Sequence, residues 1–212
     1  MVHCHRSREE AQTTASQVRK LGRRATIVVA DQAAWNDVER ICREAWDAMG
    51  GIDVLVNNAA IYRRTPLAEV NERDWDDLLD TDLKGPFAFA RFLGPRMKER
   101  GHGKIVNIAD VGADRVWPGY IPYCVAKAGV VAMTRGLARA LAPEVQVNAI
   151  APGAILWPES CDEAHKKRVL EEVPLGRAGS PVDIARAVCF LVEGGEYITG
   201  AVLSVDGGRS VR

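Results

Sequence analysis

The chain has 212 residues, 47% of them hydrophobic and 26% charged, enough to fill a core and stay dissolved. Lys plus Arg and Asp plus Glu both number 28, and this zero net charge gives no support to a nucleic-acid or membrane-surface partner. No apolar run approaches the roughly 20 residues of a membrane span, residues 1–10 are too polar for a signal peptide, and five scattered cysteines without a CxxC pair predict reduced thiols in a cytoplasmic protein.

In chain order, His3-Cys4-His5 could suggest a metal, but neighbours on a strand point to opposite faces, so no metal site is expected. Residues 7–21 read as a helix opened by a Ser7–Glu10 capping box. Residues 26–30 read as a strand, and Trp35, Val38, Cys42, Trp46 and Met49 then recur at helical spacing. A strand is predicted at 54–56, followed by a long helical region that Pro86 ends or bends. Gly101-His102-Gly103 marks a turn before a strand at 105–108. Pro122 suits the first turn of a helix running to about Leu141, and 145–150 read as the next strand. Residues 154–180 are the least regular, fitting either a lid or a surface loop with a short helix. Ser180-Pro181-Val182-Asp183 combines a cap, an N1 proline and an acid at N3, and Ile184, Ala187, Val188 and Leu191 continue as an apolar stripe. Residues 202–205 form the last expected strand, with Asp206-Gly207-Gly208 as its turn. This alternation predicts one α/β domain over 1–212, a Rossmann-like doubly wound parallel sheet with helices on both faces.

Asp31, Asn57-Asn58, Asp110 and Pro152-Gly153 each follow an expected strand. Such residues make turns, but in a parallel sheet these positions also line the crevice at the carboxyl ends, where ligands bind. Tyr123 and Lys127 lie four apart, on one helical face. A cation beside a phenol favours phenolate, so the pair is expected to lower the tyrosine pKa and make it a proton donor near neutral pH. Asp110, closing the run 105–108, adds a second acid. Three such groups suggest reduction of a polar double bond.

With these residues in place the chain resembles short-chain dehydrogenase/reductases. The resemblance rests on Asn57-Asn58-Ala59-Ala60, Tyr123-x-x-x-Lys127, Asn148-Ala149-Ile150-Ala151-Pro152-Gly153, Pro174-Leu175-Gly176-Arg177, Ile198-Thr199-Gly200 and Val205-Asp206-Gly207-Gly208, all in family order. Within the family it resembles pteridine reductases, because Asp110 stands thirteen residues before Tyr123, where most members carry serine. The resemblance implies NADPH as cofactor. Tyr123 and Lys127 become the catalytic pair, with Lys127 also holding the nicotinamide ribose, and Asn57, Ala59, Pro152, Gly153 and Ile155 line the cofactor. His5-Arg6-Ser7 matches the segment that grips the 2′-phosphate. The chemistry agrees, since Arg6 offers a planar fork and Ser7 a hydroxyl at a helix start. Asp31 either contacts adenine or serves as a post-strand turn residue. Asp110 binds substrate or Tyr123, and Tyr62 matches the aromatic on which a pterin stacks. The implied reaction is hydride transfer to a small pterin or, alternatively, to a general carbonyl compound. A third reading is a non-catalytic remnant. A homo-tetramer or dimer is expected, for which the apolar faces at 87–93 and 130–141 are suitable.

Two departures stand out. The family opens with a strand, a glycine-rich loop and a helix, about 30 residues, whereas this sequence opens at what reads as the end of the second strand. This predicts an N-terminally truncated sheet, from a mistaken gene start or a real truncation, with an open apolar edge on strand 54–56. Gly101-His102-Gly103 precedes a strand and cannot replace the loop. The second departure is Asp82, where the family has asparagine. It either holds a water through its backbone, as asparagine does, or competes for Lys127.

Overall fold

The computed structural model describes residues 1–158 and 161–211. Six parallel strands form two groups. β1 (Val2–Cys4) pairs with β2 (Ile27–Val29), while β3 (Val54–Asn57), β4 (Gly103–Ile108), β5 (Val145–Pro152) and β6 (Val202–Val205) form a four-stranded sheet in that order. The connecting helices are α1 (Arg8–Lys20), α2 (Trp35–Met49), α3 (Glu72–Leu79), α4 (Gly85–Glu99), α5 (Ile121–Leu141), α6 (Glu163–Glu171) and α7 (Pro181–Glu193).

Alternation along β4 and β5 explains why helices cover both faces of the larger sheet. Ile105 and Val147 point to one side and pack with Leu93 and Met97 of α4 and Ala138 and Leu141 of α5. Val106 and Ile150 point to the other and meet Ala187 and Leu191 of α7. Each fully buried Ile or Met contributes about 2 kcal/mol through removal from water. On the α5 side the layers are also pinned by polar groups. Asn57 donates to Asn107 (2.8 Å), Asn107 to Thr134 (2.9 Å), and Thr134 to the Val130 carbonyl (2.8 Å), all buried.

Among the described residues β1 hydrogen-bonds only to β2, and β3 only to β4. β3 is the end strand of the four-stranded group, and its Val54 and Val56 are 38% and 40% exposed. The two sheets are joined through side chains. Buried Gln32, after β2, donates to the Ala59 carbonyl (3.0 Å) and the Thr81 carbonyl (2.8 Å). His3 meets Phe89 edge-on at 5.5 Å, and Trp35 meets Phe92 at 5.3 Å.

Two local expectations fail. Ser7 does precede α1, but its backbone (φ −79°, ψ 59°) is not extended, and its hydroxyl makes no cap bond, so no box with Glu10 forms. Pro86 does not end the helical region; it occupies the first turn of α4, which continues to Glu99. The irregularity falls just before it, in a π-helical turn at Asp80–Lys84. By contrast Ser180 and Asp183 form the expected reciprocal capping box of α7.

Candidate active site

The site is built where β4 ends and α5 begins. Pro122 sets the first turn of α5, placing Tyr123 in that turn and Lys127 one turn further in. Tyr123 donates to Asp110 Oδ2 at 2.8 Å. Asp110 Oδ1 accepts from the Gly112 amide at 2.7 Å, so the carboxyl is also the cap of the short turn Val111–Ala113. Lys127 Nζ donates to the Ile108 carbonyl at 3.2 Å and lies 3.6 Å from Asp82 Oδ2. Asp82 is fully buried in the π-helical turn; its other oxygen accepts from the Ile61 amide at 2.7 Å. Asp82 thus stands against Lys127 across a buried 3.6 Å gap.

The acidified phenol expected from the Tyr123–Lys127 spacing is not what the fold produces. Tyr123 is shifted well above the usual tyrosine range, first by burial and then by the Asp110 carboxyl that accepts its bond. The ammonium is directed at Asp82 and Ile108, with Nζ 5.5 Å from the phenol ring centre. Burial also pushes the Asp110 and Asp82 carboxyls above the ordinary carboxylate range, opposed at Asp110 chiefly by the Gly112 amide and at Asp82 chiefly by Lys127.

A cavity of about 1270 Å³ opens in front of these groups, lined also by Asn58, Ala60, Tyr62, Pro152, Gly153 and Ile155. A single small ligand fills roughly 300–1,000 Å³, so there is room for a substrate and the end of a larger molecule. Gly153 brings β5 against the turn after β6; a Cβ there would sit 2.8 Å from Asp206 Cα. Tyr62 is half-exposed on this wall, stacked on Tyr120 (4.7 Å, 14°) and edge-on to Tyr123 (5.0 Å).

Other expected residues lie outside the cavity. His5, Arg6 and Ser7 are exposed at the end of β1 and the start of α1. Asp31 accepts from the Ala33 amide at 2.9 Å, the turn geometry open to it from sequence, and sits 3.9 Å from His5. The Asn57 side-chain amide bonds Asn107 and the Ala59 carbonyl accepts from Gln32, while Asn58 between them faces the cavity.

Sequence reasoning missed Gln32, Asn107, Thr134, Trp117, Tyr120 and Arg209. Asn107 lay inside a run read only as a buried strand, where a polar residue was itself a signal. Gln32 and Arg209 act across 49 and 37 residues of chain, and no local pattern marks them.

The family profile described as Enoyl-(Acyl carrier protein) reductase matches residues 1–210. The chain belongs to the short-chain dehydrogenase/reductase family. It is 35% identical over 206 residues to the 3-oxoacyl-[acyl-carrier-protein] reductase FabG of Staphylococcus aureus (strain Mu50 / ATCC 700699), covering 95% of this chain and 84% of the relative. It is 39% identical over 211 residues to the (2S)-[(R)-hydroxy(phenyl)methyl]succinyl-CoA dehydrogenase subunit BbsD of Thauera aromatica, covering 96% and 83%. A gluconate 5-dehydrogenase from Burkholderia cenocepacia J2315, solved in complex with NADP and tartrate, superimposes with a TM-score of 0.92 at 33% identity, over 100% of this chain and 85% of that one. As a member of this family the chain is an oxidoreductase. Among its described residues no helix is long and apolar enough to cross a membrane.

Proposed function

We propose that the protein reduces a carbonyl or imine carbon with NADPH, using Tyr123 as the proton donor. The observation that carries this reading is the 2.8 Å bond from Tyr123 to Asp110 at the mouth of the cavity, with Lys127 one turn behind. A structural relative holds NADP, and the donors present here suit such a molecule. Lys127 is a cation at the cavity wall for ribose hydroxyls, while Arg6 and the uncommitted Ser7 hydroxyl suit a phosphate. His5 and Asp31 complete that far end, and Pro152, Gly153 and Ile155 the near end. When bound, NADPH supplies a hydride. Tyr123 protonates the oxygen or nitrogen that gains charge, Asp110 orients the phenol and bonds the substrate, and Asp82 and the Ile108 carbonyl hold Lys127 in place.

The relatives' names, 3-oxoacyl reductase and gluconate 5-dehydrogenase, favour an oxo or hydroxy compound as substrate. A second reading, reduction of a pterin, is supported by a carboxyl rather than a hydroxyl at Asp110 and by the aromatic wall of Tyr62 and Tyr120. NADPH oxidation with a 3-oxoacyl thioester, simple ketones, dihydrobiopterin and dihydrofolate separates the two. Carbonyl turnover without pterin turnover defeats the second reading, and turnover of none defeats both. Asp110→Ser is expected to slow pterin reduction more than ketone reduction; equal slowing leaves the general carbonyl reductase.

A further inference from the structure

One wall of the cavity is set by Arg209, in the short helical turn Arg209–Val211 after β6. Its guanidinium lies 5.3 Å over the Trp117 ring, and its side chain is only 11% exposed. Trp117 in turn lies against Gly112, where an added Cβ would stand 2.8 Å from the indole. Gly112 is the residue whose amide holds Asp110. One aromatic layer thus separates the guanidinium from the catalytic carboxyl, and its positive charge is felt at both Asp110 and Tyr62. Arg115 donates to the Arg209 carbonyl and ties down the turn.

The fork already holds a carboxylate. Nε and Nη2 bond Glu172 Oε2 at 3.2 and 3.0 Å. Glu172 caps the end of α6, in the segment of least regular sequence, and its side chain is half-exposed, so it can leave without opening the core. The described lining as a whole is electropositive, with five Lys or Arg against three Asp or Glu, one of the three being Glu172 itself. A guanidinium on an aromatic face in a partly closed pocket is suited to planar, two-point recognition of a carboxylate.

We propose that Arg209 is the anion subsite of this pocket: it receives a carboxylate carried by the carbonyl substrate, and Glu172 is the internal group that the substrate displaces. The proposal rests on the carbonyl-reduction reading above. The probes are oxo acids of five to eight carbons and their primary amides, which have the same reacting carbon with and without the charge. In NADPH oxidation the wild type is expected to prefer an acid over its amide. Arg209→Met is expected to lower the acid-to-amide ratio of kcat/KM tenfold or more, chiefly through KM for the acid, and Glu172→Gln to raise it. A ratio that Arg209→Met leaves unchanged, or a wild type that prefers the amides, overturns the subsite. Calorimetric titration of the protein with NADP and the same acids and amides supplies a readout independent of turnover. Carboxylate-selective binding that Arg209→Met abolishes, with no carbonyl turned over, overturns the reductase reading and leaves the subsite standing. Turnover and binding both indifferent to charge do the reverse. Should Arg209→Met not fold, Glu172→Gln decides alone: no gain in acid affinity overturns the displacement.

Discussion

The two sheets of this molecule are made differently. In the four-stranded sheet, β4 and β5 are buried on both faces, and the polar groups beside them are paired in chains, from Asn57 to Thr134 and from Tyr123 to Asp110. In the two-stranded sheet β1 and β2 are three residues each, Val29 is 42% exposed, and attachment to the rest runs through Gln32, a few aromatic contacts and the packing of α2, whose Val38 and Cys42 enter the core beside Leu93 and Ile105. Proton-transfer geometry needs tolerances of tenths of an ångström and is found in the half whose packing can supply them. The groups suited to a phosphate, Arg6 and Ser7, lie in the looser half, where a flexible charged side chain suffices.

The largest effect that could break this contrast is Tyr123→Phe. Removing the phenol hydroxyl is expected to lower kcat by about 10²- to 10⁴-fold, the usual range for one general acid, while the circular dichroism spectrum stays unchanged. Retained turnover would remove Tyr123 from the mechanism. Next comes Lys127→Met, which leaves the Asp82 carboxyl without its cation in a fully buried turn. Losing one partner of a buried pair is expected to cost about 3–5 kcal/mol in denaturant unfolding. The double variant Asp82→Asn/Lys127→Met should recover part of that loss; strict additivity would mean that the pair is not coupled.

Gln32→Leu addresses the join itself. Two part-buried carbonyls lose their donor, at a cost of about 1 kcal/mol, the usual net worth of such bonds. The expectation is faster amide exchange in β1 and β2 with β4 and β5 unchanged. Uniform acceleration would show that the sheets unfold as one unit. Smaller still, Arg6→Gln should weaken NADPH about tenfold relative to NADH in KM, with kcat unchanged, as for one exposed charged contact to a phosphate. An equal effect on both cofactors would take Arg6 away from the 2′-phosphate.

How much of this was legible in the sequence follows the same division. The strands at 105–108 and 145–150, the cap at Ser180 and the first-turn proline at 122 are local signals: apolar runs of strand length, a side chain that bonds its own helix, or a ring whose fixed φ suits a helix start. They came through with shifts of a few residues. Tyr123, Lys127 and Asp110 were found because their spacings are local too. What those residues do to one another was not. The spacing predicts a phenol acidified by Lys127, yet burial and then Asp110 raise the phenol while Lys127 lies against Asp82, all through contacts that only the folded chain makes. Ser7 makes no cap bond because its backbone, at φ −79° and ψ 59°, is not extended, an angle that its identity does not dictate.

The smallest predicted effect tests whether burial, rather than the nearby cation, rules the closed half. The Asp110 carboxyl is held above its ordinary range, with burial the leading cause. The folded protein therefore binds that proton more tightly than the unfolded chain does. The associated stability is fully present below the ordinary carboxylate pKa of about 3.9 and is lost as pH rises through the raised folded value. Asp110→Asn keeps an acceptor for the Gly112 amide but cannot ionise, so it escapes that loss. Measured as Tm against pH, the difference between variant and wild type should move in the variant's favour across this window and level off above it. Were Lys127 and the Gly112 amide to outweigh burial, Asp110 would instead be held below its ordinary range, and the difference would move in favour of the wild type over the same interval.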